Sequence, residues 1–239
     1  MKKYLSAKEL KNKAKIQLSG HYNRVISACF MAVCLSYLAS VCITDLFPSE
    51  GLVWFIVSLL MNLIILTLTG VFQTGLSYMF LNIACGHSGV GSDLFYGFRE
   101  CYEVSVKISF VHALLEFICT IPAQILMLVA ASTMETKDII IALVAYAAGL
   151  ILYIPAYIFI SQCYYLILDY PNMTAWESIC TSIRLMKKHF GRMLYLWLSF
   201  IPLSFLCILT CGIGLLWLTP YQKMTYTYFY LDMMNDKEA

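Results

Sequence analysis

The stretch VISACFMAVCLSYLASVCI (25–43) decides how the rest of this chain is read. It holds nineteen residues in a row without one charge. Apolar runs of about 18 or more residues are long enough to cross a bilayer as a helix. The run is too long for the hydrophobic part of a secretory signal, and no A-x-A site follows it. It therefore reads as a first spanning helix that is retained, entered from a basic arm.

The same reading extends outward along the chain. Hydrophobic residues make up 61% of the 239 and charged residues 13%, against about 45–50% and about 25% in soluble domains. Six apolar segments follow from the pattern, at 25–44, 52–82, 104–131, 139–168, 192–210 and 213–231. The dividers DLFPSEG (45–51), ACGHSGVGSD (84–93), STMETKD (132–138), DYPNMT (169–174) and TCGIG (210–214) are rich in turn formers. The expected fold is all-α: one integral membrane domain over 1–239, with six transmembrane helices as three hairpins and short amphipathic helices on the cytoplasmic side. The second and fourth segments exceed the thickness of the hydrocarbon core. About 30 residues reach about 45 Å against about 30 Å. They must tilt, extend past the bilayer, or break at Gly70 and Gly75 in one and Gly149 and Pro155 in the other.

Net charge is only +2, but its placement is uneven. Lys2, Lys3, Lys8, Lys11, Lys13, Lys15 and Arg24 precede the first segment. Arg99, Lys107, Arg184, Lys187, Lys188, Arg192, Lys223 and Lys237 fall on the same side, and only Lys137 on the other. Asp45, Glu50, Glu135 and Asp138 mark that other side. The positive-inside rule places both termini in the cytoplasm of a cell membrane. The ten cysteines include no CxxC pair. Cys29, Cys34, Cys42, Cys119, Cys163, Cys207 and Cys211 lie in apolar runs, where cysteine acts as a small hydrophobe. Cys207 and Cys211 share a helix face, yet no histidine or carboxylate joins them to complete a metal set.

The cytoplasmic segments repeat. Ser6-x-x-Glu9 is a capping box with Leu5 and Leu10 as its hydrophobic staple. It opens a basic helix that ends near Gly20, with Leu10, Ala14 and Leu18 on one face and Lys8, Lys11 and Lys15 on another. Thr174-x-x-Glu177 opens a second such helix, with Trp176, Ile179 and Ile183 on one face. His21-Tyr22-Asn23-Arg24 and His189-Phe190-Gly191-Arg192 follow at the same offset. SDLFYGFRECYEV (92–104) is a weaker copy. Three units result, about 6–84, 92–168 and 174–235, in which Gln73, Gln162 and Gln222 occupy related places.

Within HALLEFICTIPAQ (112–124), His112 and Glu116 lie one helical turn apart in an apolar run. A carboxylate deep in a bilayer must be neutral, paired or wet. Lys223 and Asn62 are the other polar residues expected at depth, and a Glu116–Lys223 contact is a candidate pairing. Gly212 and Gly214 suit a tight helix–helix turn through positive φ, Pro220 suits a kink, and the tyrosines after it suit an interfacial belt.

No HExxH, GxSxG, Walker or GxGxxG pattern occurs. The expectation is a protein that is not an enzyme, with no cofactor and no metal. Its partners are the lipid bilayer, anionic headgroups and a possible membrane protein, with no nucleic acid. Lys8, Lys11, Lys15, Arg24, Arg184, Lys187, Lys188 and Arg192 would carry a scaffold or accessory role at the membrane surface. A small proton-coupled transporter or channel built on Glu116 is the alternative.

WESICTSIRLMKKHFGRML (176–194), LTCGIGLLWLTPY (209–221), TYTYFYLDMM (225–234) and SAKELKNKAKIQLSGHYNRVI (6–26) together resemble a family of bacterial integral membrane proteins. That family is known as domain of unknown function number nine-seven-five. The GIG-x-LW-x-x-PY stretch is the most specific part. The family pattern places a glycine where Lys188 stands here. The resemblance implies a multi-pass membrane protein and no particular activity.

Overall fold

The computed structural model describes residues 4–46, 52–133, 135–210 and 212–235. Lys2, Lys3, Glu50, Cys211, Lys237 and positions 47–51 of the first divider lie outside the described residues, as do the side chains of Cys42 and Asp45. Within them the chain is helical with no strand. The order is α1 (Ala7–Leu18), α2 (Tyr22–Leu46), α3 (Leu52–Ala84), a 3-10 turn (Gly91–Phe95), α4 (Tyr96–Arg99), α5 (Tyr102–Thr133), α6 (Thr136–Ile160), α7 (Cys163–Asp169), α8 (Ala175–Leu198), α9 (Ile201–Leu209) and α10 (Leu215–Met234).

Five segments are long and apolar enough to cross a membrane: Tyr22–Val41, Ile56–Ala84, Tyr102–Ala130, Thr136–Asp169 and Ala175–Leu209. The sixth expected crossing, 213–231, forms α10. Its own composition, with Pro220, Gln222, Lys223 and four tyrosines, is too polar to qualify. It packs inside the bundle, with Met224, Thr225, Thr227, Phe229 and Tyr230 buried. Protein neighbours rather than lipid surround those side chains, so the helix has less need of an apolar surface.

The long second segment is one unbroken 33-residue helix. Its glycines are contact points, not breaks: a Cβ on Gly70 would strike Ser109 of α5, and one on Gly75 would strike the Leu94 carbonyl. Gly149 likewise lets α6 approach the Cys119 carbonyl of α5. Neither Gly149 nor Pro155 interrupts α6. The interruption comes at Ser161–Gln162, between α6 and α7. The carbonyls freed there are taken by side chains. Ser182 Oγ donates to Phe159 O at 2.7 Å, Ser178 Oγ to Cys163 O at 3.2 Å and Ser161 Oγ to Ile158 O at 2.8 Å.

Both capping boxes form as read. Leu10, Ala14 and Leu18 of α1 are buried. The equivalent buried row of α8 is Ser178, Ser182 and Met186, 168 residues later. Trp176 departs from the expected face and is 71% exposed. The repeat also diverges at its turn. Gly20 adopts φ +93° and ends α1, but its counterpart is Lys188, and α8 runs straight through 188–192 to Leu198. A side chain with a Cβ resists the left-handed conformation that the first turn uses. The second amphipathic helix and the start of the fifth segment are therefore one continuous element. In the last turn only Gly212 takes positive φ, at +80°. Gly214 is helical, and what it provides is room for Cys207.

Candidate functional site

Lys223 is the residue around which the structure places a cavity. α2, α3 and α10 enclose about 470 Å³, lined by Lys223 with Cys29, Ser36, Asn62, Thr69 and Gln73 among others. α2 and α3 contribute these polar groups at helical spacing. Cys29, Ser36 and Ser40 recur at intervals of seven and four, as do Asn62, Thr69 and Gln73, so each set shares a face. Ser36 and Thr69 are satisfied locally. Ser36 Oγ donates to Ala32 O at 2.8 Å, and Thr69 Oγ1 donates to Ile65 O at 2.8 Å while meeting Ser36 Oγ at 3.3 Å. Lys223 is half-buried, and among the described residues it has no ion-pair or hydrogen-bond partner. Cys29 is the titratable side chain that feels its charge.

Two of the polar residues picked from the sequence, Asn62 and Lys223, thus share one cavity, and Gln73 joins them. His112 and Glu116 do not. The His112 ring stacks on Tyr164 at 5.3 Å, meets Tyr157 edge-on at 5.6 Å and lies beside the Ile160 backbone at the α6–α7 break, with its Nε2 buried and without a hydrogen-bond partner among the described residues. Glu116 is half-buried and faces Tyr153 and Tyr157 of α6. No Glu116–Lys223 ion pair exists: the described ion pairs are Glu103–Lys107, Glu135–Lys137 and Arg192–Asp232. Gln73 lines the cavity and lies near Tyr157 of α6. Gln162 is buried at the α6–α7 break, with its amide nitrogen on Ser161 Oγ at 2.9 Å. Gln222 is half-buried on α10, so the three repeat-related glutamines share no common environment.

The eight basic candidates divide into two groups. Lys8, Lys15, Arg24, Arg184, Lys187 and Lys188 are exposed. Lys11 and Arg192 are structural. Lys11 Nζ donates to Ser199 O at 3.1 Å and sits 4.0 Å over the Phe200 ring, and its partial burial lowers its pKa from the ordinary lysine value. Arg192 Nη2 donates to Asp232 Oδ2 at 2.6 Å and to Leu5 O at 3.0 Å, with its guanidinium 4.4 Å over Tyr4. Asp232 in turn accepts from Leu5 N at 3.3 Å. This clamp ties α8, α10 and the approach to α1 together.

The sequence reading did not single out Asp232, Tyr153 or Tyr157. The four-residue spacing of the two tyrosines was a usable signal, since it sets both on the face that meets α5. Among the described residues no three His, Cys, Asp or Glu side chains come together as a metal set.

The model of one protein family matches residues 1–237, nearly the whole chain. The chain belongs to the family described as protein of unknown function (DUF975). Searches of curated proteins and of solved structures gave no match. Family membership thus agrees with the resemblance seen in the sequence and adds no activity to it.

Proposed function

We propose that this family member is a non-enzymatic, multi-pass membrane protein that gathers anionic lipid headgroups at a basic cytoplasmic end. In this reading it crosses the bilayer six times, with α10 as the protein-enclosed sixth crossing and both termini inside. The supporting observation is the division among the basic side chains. Lys11 and Arg192 fasten α1 and α8 to the bundle, which holds Lys8, Lys15, Arg24, Arg184, Lys187 and Lys188 outward on adjoining elements. Each such cation near an anionic surface adds about 1 kcal/mol of attraction. A scaffold that recruits particular lipids, or a partner through them, needs no more chemistry than this.

The test is lipid selection. The protein is reconstituted into mixed phosphatidylcholine and phosphatidylglycerol nanodiscs, and the lipids retained after detergent extraction are counted by native mass spectrometry. Phosphatidylglycerol should be enriched around the wild type and return to the bulk ratio when the six exposed cations are changed to Gln. Equal enrichment in both proteins would refute the proposal. The transporter alternative rests on Glu116 facing Tyr153 and Tyr157. Proton flux that is present in wild-type proteoliposomes and lost in an equally folded Glu116→Gln would favour it.

A further inference from the structure

We propose that the groove between α2, α3 and α10 binds one acidic amphiphile, its carboxylate on Lys223 and its chain laid along α2 and α3 toward Asn62. The inference rests on the membrane reading of the chain and is independent of the headgroup scaffold, which uses other residues.

The shape comes first. The cavity runs from Cys29 to Ser40 along α2 and from Gln73 to Asn62 along α3. Eleven residue-to-residue steps along each helix make its length about 16 Å. With a volume of about 470 Å³, its mean cross-section is about 30 Å². An extended chain fits that width. Lys223 at one end of the lining favours a small acidic ligand over a partner's apolar transmembrane segment as the occupant. The rim includes Val33 and Tyr37, 62% and 68% exposed on the flank of an apolar helix. The groove therefore opens sideways, toward lipid, and its ligand enters from the bilayer.

The chemistry follows. Met224, next to Lys223, packs on Ala14 and Leu18 of the basic helix α1, so the cationic end of the groove lies at headgroup level, where the carboxylate of an amphiphile also sits. A cation there with no partner among the described residues suits an anion. Lys223 is the one charged residue among the described residues lining the groove, and it is a single compact donor. A carboxylate with one negative charge matches it. A phosphate would ask for more donors than the site presents. At the other end Asn62 is exposed on the helix flank and has no partner among the described residues. It suits a second, hydrogen-bonding group on the ligand. At about 1.25 Å of projected length per carbon, about twelve carbons reach from one end to the other.

The experiment uses the full-length protein in phosphatidylcholine nanodiscs and a diazirine-bearing dodecanoic acid, with crosslinked residues located by peptide mass spectrometry. Labelling should fall on 33–37 and 62–69. Dodecanoate should suppress it, 12-hydroxydodecanoate more strongly, and dodecyl phosphate or dodecanol weakly. Lys223→Gln should weaken dodecanoate competition about tenfold, while Lys223→Arg keeps it. Asn62→Leu should erase the advantage of the hydroxyl without touching the carboxylate. Labelling scattered over all apolar helices, or unchanged in a Lys223→Gln protein with wild-type melting behaviour, would overturn the proposal. Loss of labelling in both Lys223 variants would overturn the carboxylate role as well. Loss of headgroup enrichment in the exposed-cation variant bears only on the scaffold, because that variant leaves this groove intact.

Discussion

Arg192→Gln tests the clamp that assembles the basic end. The substitution removes a 2.6 Å ion pair to Asp232 and a 3.0 Å bond to the Leu5 carbonyl. The side chains are 28% and 12% exposed, so solvent screens the pair only in part. Fully exposed pairs contribute about 0–1 kcal/mol, and breaking a fully buried one costs about 3–5 kcal/mol. An intermediate cost of about 2 kcal/mol follows. For a chain of this length that is a melting shift of roughly 4–8 °C. The assay is thermal unfolding in detergent, followed through a thiol-reactive dye at the buried cysteines. Asp232→Asn should cost a similar amount, and the double mutant should cost clearly less than the sum, with a coupling of about 1–2 kcal/mol. Because α1 hangs on this contact, trypsin should cut at Lys13 and Lys15 faster in either variant. Additive costs, or shifts under about 1 °C, would show that the clamp does not hold α1, and the division of basic residues argued above would fall with it.

Three further outcomes follow from the packing. Gly191→Ala, in the interior of α8 with nothing within 4 Å of the new Cβ, should raise stability by about 0.5–1 kcal/mol in the same melt. Gly149→Ala should do the opposite, costing about 1–3 kcal/mol as its methyl meets the Cys119 carbonyl, and a neutral result would place the α5–α6 crossing elsewhere. Ser182→Ala should cost about 1 kcal/mol by stripping the Phe159 carbonyl of its donor, and hydrogen exchange across 159–166 should quicken, whereas exchange in α3 stays as it was.

What the sequence made legible tracks how local the physics is. The apolar lengths and the two capping boxes depend on neighbours within a few residues; both boxes and five long apolar segments formed, while α8 ran on past its expected end and the sixth segment was too polar to count as a span. The Gly20 turn was readable for the same reason, since a positive φ leaves a glycine at one position. The α6–α7 break was not readable. Gly149 and Pro155 looked the better breakers, yet the chain parts at Ser161–Gln162, where α8 brings Ser178 and Ser182 to the Cys163 and Phe159 carbonyls. Those donors are distant in sequence, and so is the reason for the break. The site divided along the same line. Lys223 and Asn62 could be picked out singly as polar residues in apolar runs, but that they face one groove, while Glu116 faces the tyrosines of α6, depends on helix rotation. Polar type alone carries no information about rotation.

The continuity of α8 has a mechanical consequence. Where α1 and α2 are joined by a left-handed turn at Gly20, the matching joint at Lys188 is helical, so α8 is a rod about 36 Å long. Arg192 pins it to α10 roughly three quarters of the way along. Ser178 and Ser182 pin the same rod a second time, at the α6–α7 break. Two pins on one continuous helix fix the distance between them, so the basic end and the backbone beside His112 are held as one body.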